Sequence, residues 1–367
     1  MREEWIRTFA GYKSIDPQAA REVELLLQGK LPEQWDRDLP TFAADEKGLA
    51  TPESSGKVLD AIAKTVPWLI GGSGDLAPST KTAFPGADAL EADDPGGRVM
   101  HFGVREHAMG AIVNGLVLRA FGATFLTFSD YTRPAIRLAA LMKLPVFHVF
   151  THDSIGLGGE HQPIEQLLGL RAIPNIVVLR PADANEVRET YKVVMALTDR
   201  PACLVLSPQK LPTFDCNRYA SGAGLARGAY VLAGPTNREP AVILIASGSE
   251  VHLCISAYEQ LAQEGIAARV VSMPSWELFE QQDEAYREDI LPASVRARVA
   301  VETGSVIGWD RYAGPDGTII GMHTFGGSAP GTGLMKKFGF VAERVLQAAK
   351  DQIAKHQTIE SSRMHSR

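Results

Sequence analysis

The feature that most constrains this chain is a repeated alternation of apolar runs of strand length with segments whose apolar residues recur at helical spacing. From Ser54 onward, a helix around 58–66 is followed by strands near 68–70, 124–128, 145–150, 175–179 and 202–206, with helical segments between them. The pattern breaks at 222–228. A second series then follows, with strands near 241–245, 268–272, 297–301 and 318–321, a helix over 331–338 and another from 340 to about 354. Strands that are apolar on both faces and separated by helices belong in parallel sheets covered on both sides. The chain is therefore predicted to be α/β: two three-layer αβα domains with mainly parallel sheets, preceded by a helical linker. The expected boundaries are 1–50 for the linker, 51–215 and 225–355 for the domains, and 356–367 for a polar, disordered tail.

Composition narrows the function classes. The chain has 367 residues, more than one average core needs. Its 37 basic and 43 acidic residues give a net charge of −6 with no long run of one sign, so no nucleic-acid surface is expected. Cys203, Cys216 and Cys254 are too few and too scattered for a disulfide framework or a zinc site, and suit a reducing cytoplasm. The opening MREEWIRTFAGY is amphipathic and lacks the apolar core of a secretion signal. No apolar run reaches membrane-spanning length, so no membrane association is expected. Trp5, Phe9 and Tyr12 share one helical face, and Pro17 permits a second helix start. This segment carries no core of its own.

Four stretches near predicted strand ends could carry chemistry, since open parallel sheets place their sites there. In HFGVREHA a strand ends near 98–100, Gly103 permits a sharp turn, and Ala108, Met109, Ile112, Val113, Leu116 and Val117 recur with helical spacing. Glu106 thus falls in a first helical turn. An acid there complements the helix dipole and can need no further reason. GGSGDLAPS, Gly71 to Ser79, follows an expected strand end at Ile70. It reads either as a glycine turn capped by Asp75 or as a ligand loop with Asp75 and Ser79 facing the ligand. Phe125, Phe128 and Tyr131 form an aromatic stripe that builds plain core or, running off a strand into a helix, walls a flat heteroaromatic ligand. THDSIGLGGEHQP puts His152, Asp153 and His161 among glycines just past a buried strand, a poor core and a good site. As a metal site it is weak, for its ligands lack compact spacing.

GGSGDLAPS, FGVREHAM, TFLTFSDYTRPAIRLAAL, THDSIGLGGEHQPIEQL, NIVVLRPADANE, GSEV, RVVSMPS and FGGSAP occur in the order found in the middle and C-terminal domains of transketolase, which the chain resembles from about residue 3 to 350. That resemblance implies a thiamine diphosphate enzyme moving a two-carbon ketol unit from a ketose to an aldose, in the pentose phosphate pathway. It implies that Glu106 shares a proton with the cofactor's pyrimidine ring, that Phe125, Phe128 and Tyr131 surround that ring, and that Asp75 lies near it. Ser79 and His152 would contact the sugar phosphate, and His161 would bind and deprotonate substrate hydroxyls.

The diphosphate and its Mg2+ or Ca2+ are bound in this family by a further domain, and no GDG motif followed by asparagine occurs in this sequence. The resemblance therefore implies a homodimer, or a heterotetramer with a diphosphate-binding subunit. Two departures stand out. The loop GGEHQP is shorter than the family's GEDGPTHQP, leaving Glu160 as the stand-in for an aspartate that contacts substrate. Pro52 and Pro208 occupy the aligned positions of two arginines that clamp the substrate phosphate. Two other readings stay open: the beta-type subunit of a 2-oxo acid dehydrogenase, and a non-catalytic transketolase-like fragment.

Overall fold

The computed structural model describes residues 1–84, 87–116, 119–158, 161–236 and 238–365. Two helices come first, α1 (Arg2–Ile15) and α2 (Pro17–Leu27), the second capped by the Asp16 carboxylate on Ala19 N. Trp5 stacks on Phe9 at 5.1 Å, yet no residue of α1 is buried.

The first αβα unit contains β1 (Asp45–Ala50), α3 (Thr51–Thr65), β2 (Ile70–Ser73), α4 (Ala77–Thr80), β3 (Val99–His101), α5 (Glu106–Leu116), β4 (Ala120–Phe125) and α6 (Ser129–Met142). It continues through β5 (Phe147–Thr151), α7 (Gln166–Arg171), β6 (Val177–Leu179), α8 (Ala184–Ala196), β7 (Ala202–Leu206) and β8 (Lys210–Thr213). Six strands form one parallel sheet in the order β3-β2-β4-β5-β7-β6. Its interior strands are apolar and buried on both faces because helices cover both. Val58, Ile62 and Tyr191 of α3 and α8 pack on Phe121, Phe147 and Val149. On the other face, α5 and α6 bring Met109, Val113 and Ala139 against Ala120 and Val146. All six strands end toward one edge, where the candidate residues lie.

The second unit contains β9 (Tyr230–Ala233), β10 (Val242–Ala246), α9 (Val251–Gln263), β11 (Ala268–Ser272), α10 (Trp276–Glu280), α11 (Glu284–Ile290) and β12 (Arg298–Ser305). It closes with α12 (Asp310–Ala313), β13 (Thr318–Met322), α13 (Gly331–Phe338) and α14 (Ala342–His365). The sheet order is β13-β12-β10-β11-β9, with β9 antiparallel on one edge and the other pairs parallel. Helices α9 and α14 cover one face, while α10, α11 and α12 cover the other.

Several expectations need correction. The strand predicted at 124–128 is Ala120–Phe125, since pairing with β5 ends at Phe125 and the chain then tightens into a 3-10 turn, Leu126–Phe128. Gly71 and Gly72 are strand, not turn. A Cβ on Gly72 would stand 1.8 Å from Met100 O, so the bare glycine is what lets β2 lie beside β3. The short antiparallel pair β1–β8 and the edge strand β9 were not anticipated. Of the disordered tail expected over 356–367, the part up to His365 continues α14, because no glycine or proline interrupts it, and 366–367 lie outside the described residues. Val117, which the helical pattern included, lies outside the described residues.

The two units share buried polar contacts. Glu186, 1% exposed, accepts from Tyr230 OH and Ser272 Oγ of the second unit, both at 2.7 Å. Burial first, then the Asp183 carboxylate, pushes its pKa up to about 7 against hydrogen bonds that lower it. A raised carboxyl pKa gives stability that is fully present below the unfolded value and is lost as pH rises through the folded one. Glu186→Gln is therefore expected to gain on the wild type by roughly 2 to 3 kcal/mol between pH 5 and 8, read as the change in their stability difference by urea unfolding. A difference independent of pH would show that Glu186 ionises normally.

Candidate cofactor site

Glu106 opens α5 immediately past the carboxyl end of β3, as its sequence position suggests. It is 7% exposed, and among the described residues its carboxylate accepts one long hydrogen bond, from Thr124 Oγ1 at 3.4 Å. An ionised carboxylate offers about four acceptor positions, so most of its capacity is left for a ligand. Gly103, at φ 65°, makes the turn that aims the helix start. Gly74 flanks the carboxylate, with its Cβ position 3.6 Å from Glu106 Oε1, and Asp75 follows at φ 66° on the exposed rim.

The residue after Thr124 begins an aromatic cluster. Phe125 and Phe128 stack at 5.9 Å and 15°, and Tyr131 adds its ring 6.2 Å from Phe128. Across the end of β5, His152 lies 3.9 Å from Phe125, while His161 meets Phe125 and Phe128 edge-on at 5.5 and 5.1 Å. Five side chains named from two separate stretches of sequence therefore share one patch. Both phenylalanines are half-buried and Tyr131 is exposed, so flat apolar surface remains open to a ligand. His152 takes φ 60°, and its Nδ1 lies 3.0 Å from Thr151 Oγ1. Burial holds its imidazole below the ordinary histidine value, opposed by the Asp153 carboxylate and helped by His161.

Ser79 sits exposed on α4. Among the described residues, no hydrogen bond or ring contact joins Asp75 or Ser79 to the aromatic cluster. Glu160 lies outside the described residues. Pro52 is buried in the first turn of α3, and Pro208 follows β7. Their neighbours bind each other: Ser207 N donates to Thr51 Oγ1 at 2.7 Å, and Thr51 N donates to Ser207 O at 3.2 Å. The two prolines therefore belong to one locality, where neither ring carries a donor.

Sequence reasoning missed Thr124, whose hydroxyl meets Glu106, and Arg180, whose guanidinium meets Asp153 at 2.8 Å. The signal for Arg180 was its place directly after an apolar strand and before a proline. Among the described residues, no group of three or more His, Cys, Asp or Glu gathers to hold a metal ion, and no helix is long and apolar enough to cross a membrane.

A half-open aromatic wall that begins one residue after Thr124, and a buried carboxylate that Thr124 alone meets among the described residues, suit a flat ring bearing a nitrogen that shares a proton. The transketolase pyrimidine-binding domain matches residues 47–213, and the transketolase-like C-terminal domain matches 228–341. A transketolase of Halalkalibacterium halodurans is 50% identical over 355 residues, 95% of this chain and 53% of the relative. A crystal structure of Pichia stipitis transketolase in complex with sedoheptulose 7-phosphate aligns with a TM-score of 0.91 and 38% identity, over 97% of this chain and 53% of that one. A split-gene transketolase described as an inactive β4 tetramer aligns with a TM-score of 0.67 and 26% identity, over 84% of this chain and 99% of that one. The chain spans about half the length of the curated relatives it matches. It belongs to the transketolase family, of which it carries the pyrimidine-binding and C-terminal domains.

Proposed function

We propose that this chain supplies the pyrimidine-binding half of a thiamine diphosphate site in a transketolase, which moves a two-carbon ketol unit from a ketose to an aldose in the pentose phosphate pathway. The observation that carries this reading is Glu106, buried at a helix start and accepting from Thr124, the residue next to Phe125 of the Phe125–Phe128 stack. When bound, thiamine diphosphate supplies the carbon nucleophile. Glu106 holds a shared proton at the pyrimidine ring nitrogen, strengthened by its water-poor surroundings. Phe125, Phe128 and Tyr131 hold the ring's faces and edge, and Asp75 stands at its rim. His161 orients substrate hydroxyls and takes a proton from them, while Ser79 and His152 meet the far end of the sugar.

The diphosphate and its Mg2+ or Ca2+ belong to a second domain, in a homodimer or in a heterotetramer with a separate subunit. Exposed apolar side chains on and beside the two helices flanking Glu106 support such a partner: Val104, Ile112, Leu138, Leu141 and Met142. The neighbour titled an inactive β4 tetramer is in keeping with a half that does not work alone. A cytoplasmic location fits a sugar-phosphate enzyme of this kind.

The chain by itself, with thiamine diphosphate and magnesium, is expected to show no ketol transfer, and to gain it when a diphosphate-binding half is added. A coupled assay with a ketose donor and an aldose acceptor reads this directly. Turnover by the chain alone would overturn the composite-site reading.

A further inference from the structure

The loop carrying His152 and His161 belongs to the first unit, yet of the residues next to the histidines Gln162 bonds directly to the second unit and Asp153 is tied to it through Arg180. Asp153, 2% exposed, accepts from Arg180 Nε at 2.8 Å and from Ser207 Oγ at 2.6 Å. Arg180 is fully buried and is gripped on its other side by the C-terminal domain. Its Nη1 donates to Glu250 Oε2 at 2.5 Å and to Ser247 O at 2.8 Å, and its Nη2 meets Thr303 Oγ1 at 3.3 Å. Burial works against this charge, but Glu250, Asp153 and Glu302 outweigh it and raise its pKa. At the loop's far end, both polar atoms of the Gln162 amide are used. Its Nε2 donates to Gly327 O at 2.5 Å, and its Oε1 accepts from Gly327 N at 2.8 Å. Between these points Gly158 pairs antiparallel with Pro330. A Cβ on Gly326 would stand 1.6 Å from Gln162 Oε1, so the glycine makes room for the clamp.

We propose that the C-terminal domain is the template that positions His152 and His161, acting through Arg180 at one end of their loop and Gln162 at the other. Arg180 and Gln162 are positioning residues: neither ring contact of the histidines involves them, and each acts through the residue beside a histidine. This rests on the reading of the two histidines as substrate contacts. The physical case is one of directed, saturated bonds. A guanidinium fork fixes direction as well as distance, and an amide that donates to the C=O and accepts from the N–H of one residue locks a loop as a strand pairing would.

The test reads the imidazole ring protons of the whole chain by NMR, with signals assigned by single histidine replacements. His152 and His161 lie against phenylalanine rings, so their signals are displaced from those of the urea-unfolded chain. In Gln162→Met, which keeps the side-chain length but neither hydrogen bond, the His161 signals are expected to move to the unfolded-chain position. His148, buried in β5 away from the loop, should not move. In Arg180→Lys, whose single nitrogen cannot bridge Asp153 and Glu250, the His152 signals should move likewise. Removing a buried fork can also unfold a protein, and then Gln162→Met alone decides. Undisplaced histidine signals in the wild type would count against the aromatic cluster itself. Displaced wild-type signals that stay unchanged in a folded Gln162→Met would overturn the template role while leaving the site intact.

Discussion

In a complex reconstituted with a diphosphate-binding domain, Glu106→Gln is expected to slow proton exchange at the cofactor's thiazolium carbon by on the order of a hundredfold or more, the usual loss when a positioned acid or base is removed. The amide keeps the volume of the carboxyl at a position only 7% exposed, and its oxygen can still accept from Thr124 Oγ1. The helix start should therefore survive, with the loss confined to proton sharing. Helix-dipole complementarity predicts a different result, because it contributes about 0.3 to 1 kcal/mol to stability and nothing to exchange. Exchange followed by NMR at fixed cofactor saturation separates the two. Wild-type rates in the variant would reduce Glu106 to a helix-end acid.

The same complex should discriminate weakly between phosphorylated and free sugars. Pro52 and Pro208 lie in one locality, tied by the Thr51–Ser207 hydrogen bonds, and neither offers a charge or a donor where the family resemblance implies two arginines. A hydrogen bond to a charged group is worth about 1.5 to 3 kcal/mol. Losing two removes roughly two to four decades of preference at 1.4 kcal/mol per decade. Ser79 and His152 can restore only part of that, and short unphosphorylated acceptors such as glycolaldehyde become competitive. Arg133, Lys210 or a residue of the partner domain could approach the phosphate from another side. Specificity constants for ribose 5-phosphate and ribose decide between these. A preference above about a thousandfold for the phosphorylated sugar, the middle of that range, would mean that the clamp has been rebuilt.

The architecture was legible where burial is two-sided. Ala202–Leu206 is apolar at every position because helices cover both faces, and its bounds, like those of Ala268–Ser272, agree with the sequence reading. Strands that owe their existence to a partner were not legible. Asp45–Ala50 is mostly polar and forms only because Lys210–Thr213 comes to pair with it, and the glycines of Ile70–Ser73 imitate a turn. The site was legible as separate motifs, each consistent with a plain structural role; their convergence is a property of the parallel sheet, which brings the ends of β2 to β5 together. Arg180 and Gln162 stayed hidden because their partners lie 27 to 165 residues away, and no local pattern records such distances.

The central claim is that this chain holds one half of a composite thiamine diphosphate site. It is tested most directly by calorimetric titration of thiamine diphosphate with magnesium into three samples: this chain, the half of the H. halodurans relative that this chain does not cover, and the two copurified. Charge-assisted contacts to the diphosphate should supply much of the affinity, so the account expects saturable tight binding in the copurified complex and weak binding to this chain alone. Equally tight binding by this chain without a partner would contradict it.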